Sequence, residues 1–124
     1  MPNSYYSPNQ KITGGALFAS FNSKDGSVYW KVLKQIANNP TKGWNFDGQN
    51  PINVKLSQDE VADVIRAVRT NSESKFFHKF KDDTTTGKFN YYEMDIKDNN
   101  GNPAKRRGFG LTIKKNDTEI KMGF

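Results

Sequence analysis

Apolar residues in this chain mostly recur at every second position, the period of a half-buried strand, and in one stretch every three to four, the period of a helix. After Gly14-Gly15, the run GALFASF (15–21) predicts a strand, and Asp25-Gly26 predicts the hairpin turn that follows. In VYWKVLKQI (28–36), Val28, Trp30, Val32 and Ile36 share one face. Tyr29, Lys31, Leu33 and Gln35 share the other, in a second strand that bends near its end. Residues 37–51 are rich in turn formers and leave room for a short strand around Trp44–Phe46. INVKL (52–56) alternates cleanly, with Ile52, Val54 and Leu56 inward and Asn53 and Lys55 outward.

The period then changes. Ser57 and Glu60 have the spacing of a capping box, and Asp59 adds negative charge where a helix dipole favours it. Val61, Val64, Ile65 and Val68 follow at helical spacing, with Arg66 and Arg69 late, so a helix is predicted to about Thr70. Period two returns in strands at 74–80, 88–96, 109–115 and 119–124. The turn between the first two is placed at DDTTTG (82–87), and KDNNGNPAKRRG (97–108) reads as a polar loop with a basic, mobile end. Phe109, Leu111 and Ile113 point inward, as do Ile120, Met122 and Phe124. The fold class is therefore α+β: antiparallel sheets, about four strands, one main helix and four more strands. Residues 1–10 are expected to be a flexible lead, and 11–124 a single domain.

Composition narrows the function. At 124 residues the chain can build one core. It has no apolar run long enough to span a membrane, and MPNSYYSPNQ lacks the basic start and apolar stretch of a secretory signal. With no cysteine, disulfides, thiolate nucleophiles and thiolate metal sites are excluded, and a cytoplasmic protein is expected, in the host cytoplasm if the source is viral. The net charge is +6, of which residues 75–124 carry +4, and 13% of residues are aromatic. A basic surplus with many rings points to nucleic acid, where lysines meet phosphates and rings stack on bases.

Catalytic machinery is not in view, and no enzyme is expected. There is one histidine, no nucleophile elbow, no phosphate-binding loop and no dinucleotide fingerprint. Asp82-Asp83, followed by three threonines and a glycine, reads as a solvated turn rather than a metal site. His78 has no second imidazole with which to share a metal, so no metal or other cofactor is expected.

The most telling stretch is KFFHKFK (75–81). Extended, it places Phe76, His78 and Phe80 on one face, suited to the core beneath the helix. Lys75, Phe77 and Lys79 share the other, a poor core face and a good ligand face. Lysines expected on phosphates are Lys11, Lys31, Lys55, Lys75, Lys79, Lys88 and Lys114, with Arg106 and Arg107 from the loop. Rings expected on bases are Tyr29, Trp30, Trp44, Phe77, Phe89 and Tyr91, of which Trp30 shares its face with Val28 and Val32. The helix begins with Asp59, Glu60 and Asp63, which repel phosphate, so the sheet should carry binding and the ligand should be single-stranded.

INVKLSQDEVADVIRAVRTNSESKFFHKF (52–80) resembles the strand–helix–strand centre of the Whirly family of single-stranded DNA-binding proteins, with ESKFFHKF the nearest segment. KITGGALF (11–18) is similar to that family's early Lys-Gly-Lys-Ala-Ala-Leu strand, matching at Lys11, Ala16 and Leu17 and departing at Ile12, Thr13 and the glycines. INVKLSQDE is similar to the sheet-to-helix junction of the positive cofactor 4 family of transcriptional coactivators. The resemblance implies two antiparallel sheets with a packed helix, homo-oligomers (dimers or tetramers), and single-stranded DNA across sheet edges. It also implies a shorter, viral or bacterial relative of that fold rather than a Whirly protein itself. The expected function is sequence-tolerant single-stranded DNA binding in replication, recombination or repair. An RNA-binding or transcription-modulating module, and a protein-interaction domain, are the alternatives.

Overall fold

The computed structural model of the chain describes residues 3–8, 12–39 and 43–124, with residues 3, 37–39, 43 and 44 by backbone alone. Its elements run β1 (Asn3–Ser7), β2 (Gly15–Asn22), β3 (Ser27–Asn39), β4 (Gly43–Phe46), β5 (Ile52–Leu56), α1 (Gln58–Thr70), β6 (Glu73–Phe80), β7 (Asp83–Lys97), β8 (Pro103–Lys115) and β9 (Thr118–Gly123). They form two antiparallel sheets. One is ordered β1-β2-β3-β4 with β5 also paired to β3, and the other is β6-β7-β8-β9. The α+β class with antiparallel sheets and one helix is as the sequence predicts.

Alternation decides which faces meet. Leu17 lies opposite Val32, and Val32 opposite Ile52, so the first sheet's apolar set shares one side. It packs there on Leu111, Ile113, Ile120 and Met122 of the second sheet. Each such side chain contributes about 1.5–3 kcal/mol when fully covered, so this shared interior holds the two layers together. Trp30, Phe76, Phe89, Val28 and Val61 pack around its margin. Phe76 lies across Gly87, its partner on β7, where a β-carbon would collide with the ring.

The helix begins as its sequence dictates. Ser57 Oγ accepts from the Glu60 N–H at 3.3 Å, and the Ser57 N–H donates to Glu60 Oε1 at 3.1 Å. Asn71, in the left-handed region at φ 50°, ends it. Arg66 then clamps the exit by donating to the Ser72 hydroxyl at 3.0 Å and the Glu73 carbonyl at 2.8 Å. Only part of the predicted apolar stripe is used. Val61 meets the core and Ala67 is buried, whereas Ile65 and Val68 face solvent.

Five other expectations need correction. Residues 3–7, expected within a lead, form strand β1 on β2. The Tyr5 hydroxyl donates to the Gly123 carbonyl at 2.5 Å, and its ring stacks on Phe124 at 4.5 Å. Next, β3 slips phase near its end, burying Gln35 and exposing Ile36, because the pairing register with β4 shifts between Gln35 and Ala37. The first turn of the second sheet spans Lys81 and Asp82 alone, with Lys81 at φ 54°, and the threonines of DDTTTG are strand residues of β7. The polar loop shrinks to residues 98–102, where Asp98 Oδ1 accepts from the N–H groups of Asn100 and Asn102 at 2.9 Å each. Arg106 and Arg107 therefore belong to strand β8, opposite Met94 and Glu93. Finally, Phe80 is 73% exposed, because β6 has run past the core by then, and the Lys81 ammonium lies 5.4 Å from its ring centre.

The β7–β8 ladder outruns its neighbours. Strand β6 pairs with β7 as far as Asn90, and the β9 end pairs with β8 as far as Phe109, whose N–H and carbonyl both bond the backbone of Phe124. The pairing continues to Lys97 and Pro103 as a two-stranded arm.

Candidate nucleic-acid interface

Because the sheets share their inner faces, each has one outer face, and the predicted site residues divide between them. On the second sheet the register sets Phe77 opposite Thr86 and Thr86 opposite Lys114. One row along, Lys75 lies opposite Lys88, Lys88 opposite Thr112, and Thr112 opposite Lys121. Lys79 follows on β6. Like-charged lysines side by side on a sheet repel, so the pair at Lys75 and Lys88 is a local cost that an anion would relieve. Phe77, 63% exposed, stands beside it. Lys75, Phe77, Lys88 and Lys114 border an open cleft of about 460 Å³ with threonine and glycine on its floor.

The charges here are only partly answered. Glu73 reaches both Lys75 at 3.4 Å and Lys88 at 3.5 Å, and Glu119 reaches Lys121 at 3.5 Å. The Glu73 carboxyl is held below its ordinary pKa, first by the hydrogen bond from Lys75 and its charge, then by Lys88. Lys79 and Lys114 have no ion pair among the described residues. The face thus carries five lysines against two glutamates, with one ring among them.

The outer face of the first sheet differs. Tyr29, 41% exposed, lies opposite Lys55 and Ser20, and Lys31 lies opposite Phe18 and Asn53. Rings dominate: Tyr6 packs edge-on to Phe18 at 5.8 Å and reaches Phe46 at 5.7 Å. Lys55 is already engaged, 3.1 Å from Asp25 and 5.6 Å from the centre of the Tyr29 ring. Hydrogen bonds from Ser27, then from Lys55, lower the Asp25 carboxyl to about 2. Lys31 has no ion pair among the described residues, and a cleft of about 380 Å³ opens between it, Tyr29 and Phe18.

The remaining predicted residues fall elsewhere. Phe89 is turned inward, stacked on Phe109 at 5.1 Å and packed against the core, because it alternates with outward Lys88. Trp30 is turned inward too, edge-on to Phe76 at 6.4 Å, because it alternates with outward Tyr29. Tyr91 lies on the same side as Phe89, its hydroxyl donating to Glu93 at 2.8 Å. Arg106 and Arg107 are on the arm, and Glu93 accepts Arg107 at 3.5 Å. Lys11 lies outside the described residues, and so does the ring of Trp44, whose backbone belongs to β4. Lys121, Thr86 and Thr112 complete the basic face without having been singled out. Lys121 was findable, since it alternates with inward Ile120 and Met122.

His78 is half-buried, its Nε2 2.7 Å from Glu60 Oε2, so it links β6 to the start of α1. Among the described residues no three metal-ligating side chains cluster, and no helix is long and apolar enough to cross a membrane. No family model matches the chain, and neither a curated protein nor a solved structure matches it.

Proposed function

We propose that this is a non-catalytic single-stranded DNA-binding protein of low sequence specificity, acting in DNA replication, recombination or repair. One observation carries the reading: lysines from all four strands of the second sheet converge on one face around the exposed ring of Phe77. Phosphates would lie along Lys75, Lys88, Lys114 and Lys121, and one base would stack on Phe77. Nothing in such a face reads base edges, so tolerance of sequence follows. The first turn of α1 carries Asp59 and Glu60, which disfavours insertion of the one helix into a duplex groove. The strand–helix–strand likeness to the Whirly and positive cofactor 4 families agrees with this reading, and we take the chain as a shorter relative of that fold.

The test is a titration of fluorescently labelled oligo-dT and of a duplex of equal length, at low and high salt. The single strand should bind more tightly, and the logarithm of affinity should fall with the logarithm of salt by about 0.7 per phosphate contacted. Equal affinity for the duplex, or an affinity indifferent to salt, would overturn the reading. Tighter binding of a matched RNA oligomer would turn it toward an RNA-binding module.

A further inference from the structure

The outward positions of β7 do not stop at the lysine cluster. They run from Thr86 and Lys88 through Asn90 and Tyr92 to Met94 and Ile96, so one side of the arm continues the basic face. The arm's other side is answered within itself, Glu93 and Asp95 meeting Lys105 and Arg107 at 3.5–3.9 Å.

Two groups on the continuation are shaped to meet a polynucleotide. The first is Tyr92, whose ring lies across β8. A β-carbon at its partner Gly108 would stand 2.9 Å from the hydroxyl and 3.1 Å from Cζ, and one at Gly123 on β9 would stand 4.0 Å from the hydroxyl. The half-buried ring therefore rests one face on the backbone and turns the other to solvent. A base stacking there meets a ring that is already held, so little side-chain freedom is lost on binding. The second is Arg106, exposed, opposite Met94 and without an ion pair among the described residues. Its neighbour Arg107 points to the other side and is held by Glu93. Between the lysines and the Tyr92 ring lies one row, Asn90, Gly110 and Gly123, with Glu73 at its β6 end shared between Lys75 and Lys88. Over β8 and β9 that row puts neither a charge nor a side chain in the way.

We propose that the single strand held by the lysine cluster runs on along the arm, with a further base stacked on Tyr92 and a phosphate held by the Arg106 guanidinium. The proposal rests on the reading of the basic face as a single-strand interface and adds a direction to it, lengthwise along β7 and β8 toward the tip of the arm. Thr86, beside Phe77, lies about 20 Å along the strand from Tyr92. At about 3.4 Å per nucleotide, roughly six nucleotides of a stacked strand cover that span, and fewer when the strand is drawn out.

Fluorescence anisotropy with labelled oligo-dT longer than that span tests it. Tyr92→Ala should weaken binding about tenfold, and Tyr92→Phe should keep the wild-type affinity, since the face of the ring and not its hydroxyl is used. Arg106→Ala should weaken binding severalfold and lower the salt slope by about 0.7, the share of one phosphate. Arg107→Ala should leave that slope unchanged. An iodouracil-bearing oligomer, irradiated in the complex and mapped by mass spectrometry, should join to Tyr92, which a ring that merely covers Gly108 would not do. Arm variants that bind as the wild type does, or equal losses from Arg106→Ala and Arg107→Ala, would overturn the proposal and leave the basic face standing. A wild-type chain with no preference for the single strand would overturn both. If Tyr92→Ala fails to fold, the comparison of the two arginine variants decides.

Discussion

The two outer faces of this sandwich are built by the same alternation and end with opposite characters. On the first sheet the outward positions are filled with rings that touch one another, and Lys55 is held by Asp25 and Tyr29. On the second the outward positions are lysines that crowd one another, with the solitary ring of Phe77 left open. A face that satisfies itself has little to gain from a ligand. A face whose like charges are adjacent gains when an anion arrives. The contrast teaches that counting rings and lysines does not find a binding surface, whereas setting the lysines of a face against the carboxylates that reach them does: two glutamates answer five lysines on the second sheet.

The strongest way to break that contrast is charge reversal. Lys75→Glu, Lys88→Glu and Lys114→Glu together should weaken oligo-dT binding by at least about a hundredfold and flatten its salt dependence. Lys31→Glu on the opposite face should change affinity by much less, and an equal loss from it would erase the distinction. Fluorescence anisotropy reads both.

Removing single rings sharpens it. Phe77→Ala should weaken binding about tenfold, in line with about 1–3 kcal/mol per stacked base, and leave stability nearly unchanged. Its neighbour Phe76→Ala should do the reverse, lowering stability by about 2–4 kcal/mol because that ring packs over Gly87 and against Trp30. Chemical denaturation set beside the binding titration separates the two. Matched effects from both substitutions would mean that the two sides of β6 are not distinct.

The smallest effect concerns how the basic face is anchored to the helix. Burial alone would raise the Glu60 carboxyl, but hydrogen bonds from Ser57 and His78, with the histidine charge, hold it below its usual value. A lowered carboxylate stabilises the fold above its unfolded pKa of about 4.3, and that contribution is lost as pH falls through the lower folded value. Glu60→Gln should therefore cost about 1 kcal/mol near neutrality and flatten the acid side of a melting-temperature profile. A variant whose profile keeps the full acid slope would show that other carboxylates set it.

Much of this architecture is legible in the residues. INVKL could be only a half-buried strand, and Ser57 with Glu60 only a helix start, since each pattern meets one physical need. Other stretches were misread for definite reasons. DDTTTG looks like a turn because a turn can use every residue in it, but Lys81 and Asp82 suffice, and threonine favours strands. AKRRG looks like a loop because the arm lacks a covering layer within one chain, and water on both sides removes the apolar signal. Phe89 and Trp30 are expected on bases although each alternates with an outward neighbour, and Trp30 shares its face with Val28 and Val32. On a strand adjacent side chains point apart, so an outward Lys88 and Tyr29 send both rings inward.

The contact between Tyr5 and the end of β9 has a bearing on how the protein is made. Strand β1 is synthesised well before β9, and the carbonyl its tyrosine grips lies 118 positions downstream. Until β9 has emerged, β1 can rest on β2 but cannot be fastened. This edge of the molecule should close late, and losing either β1 or β9 should loosen the other.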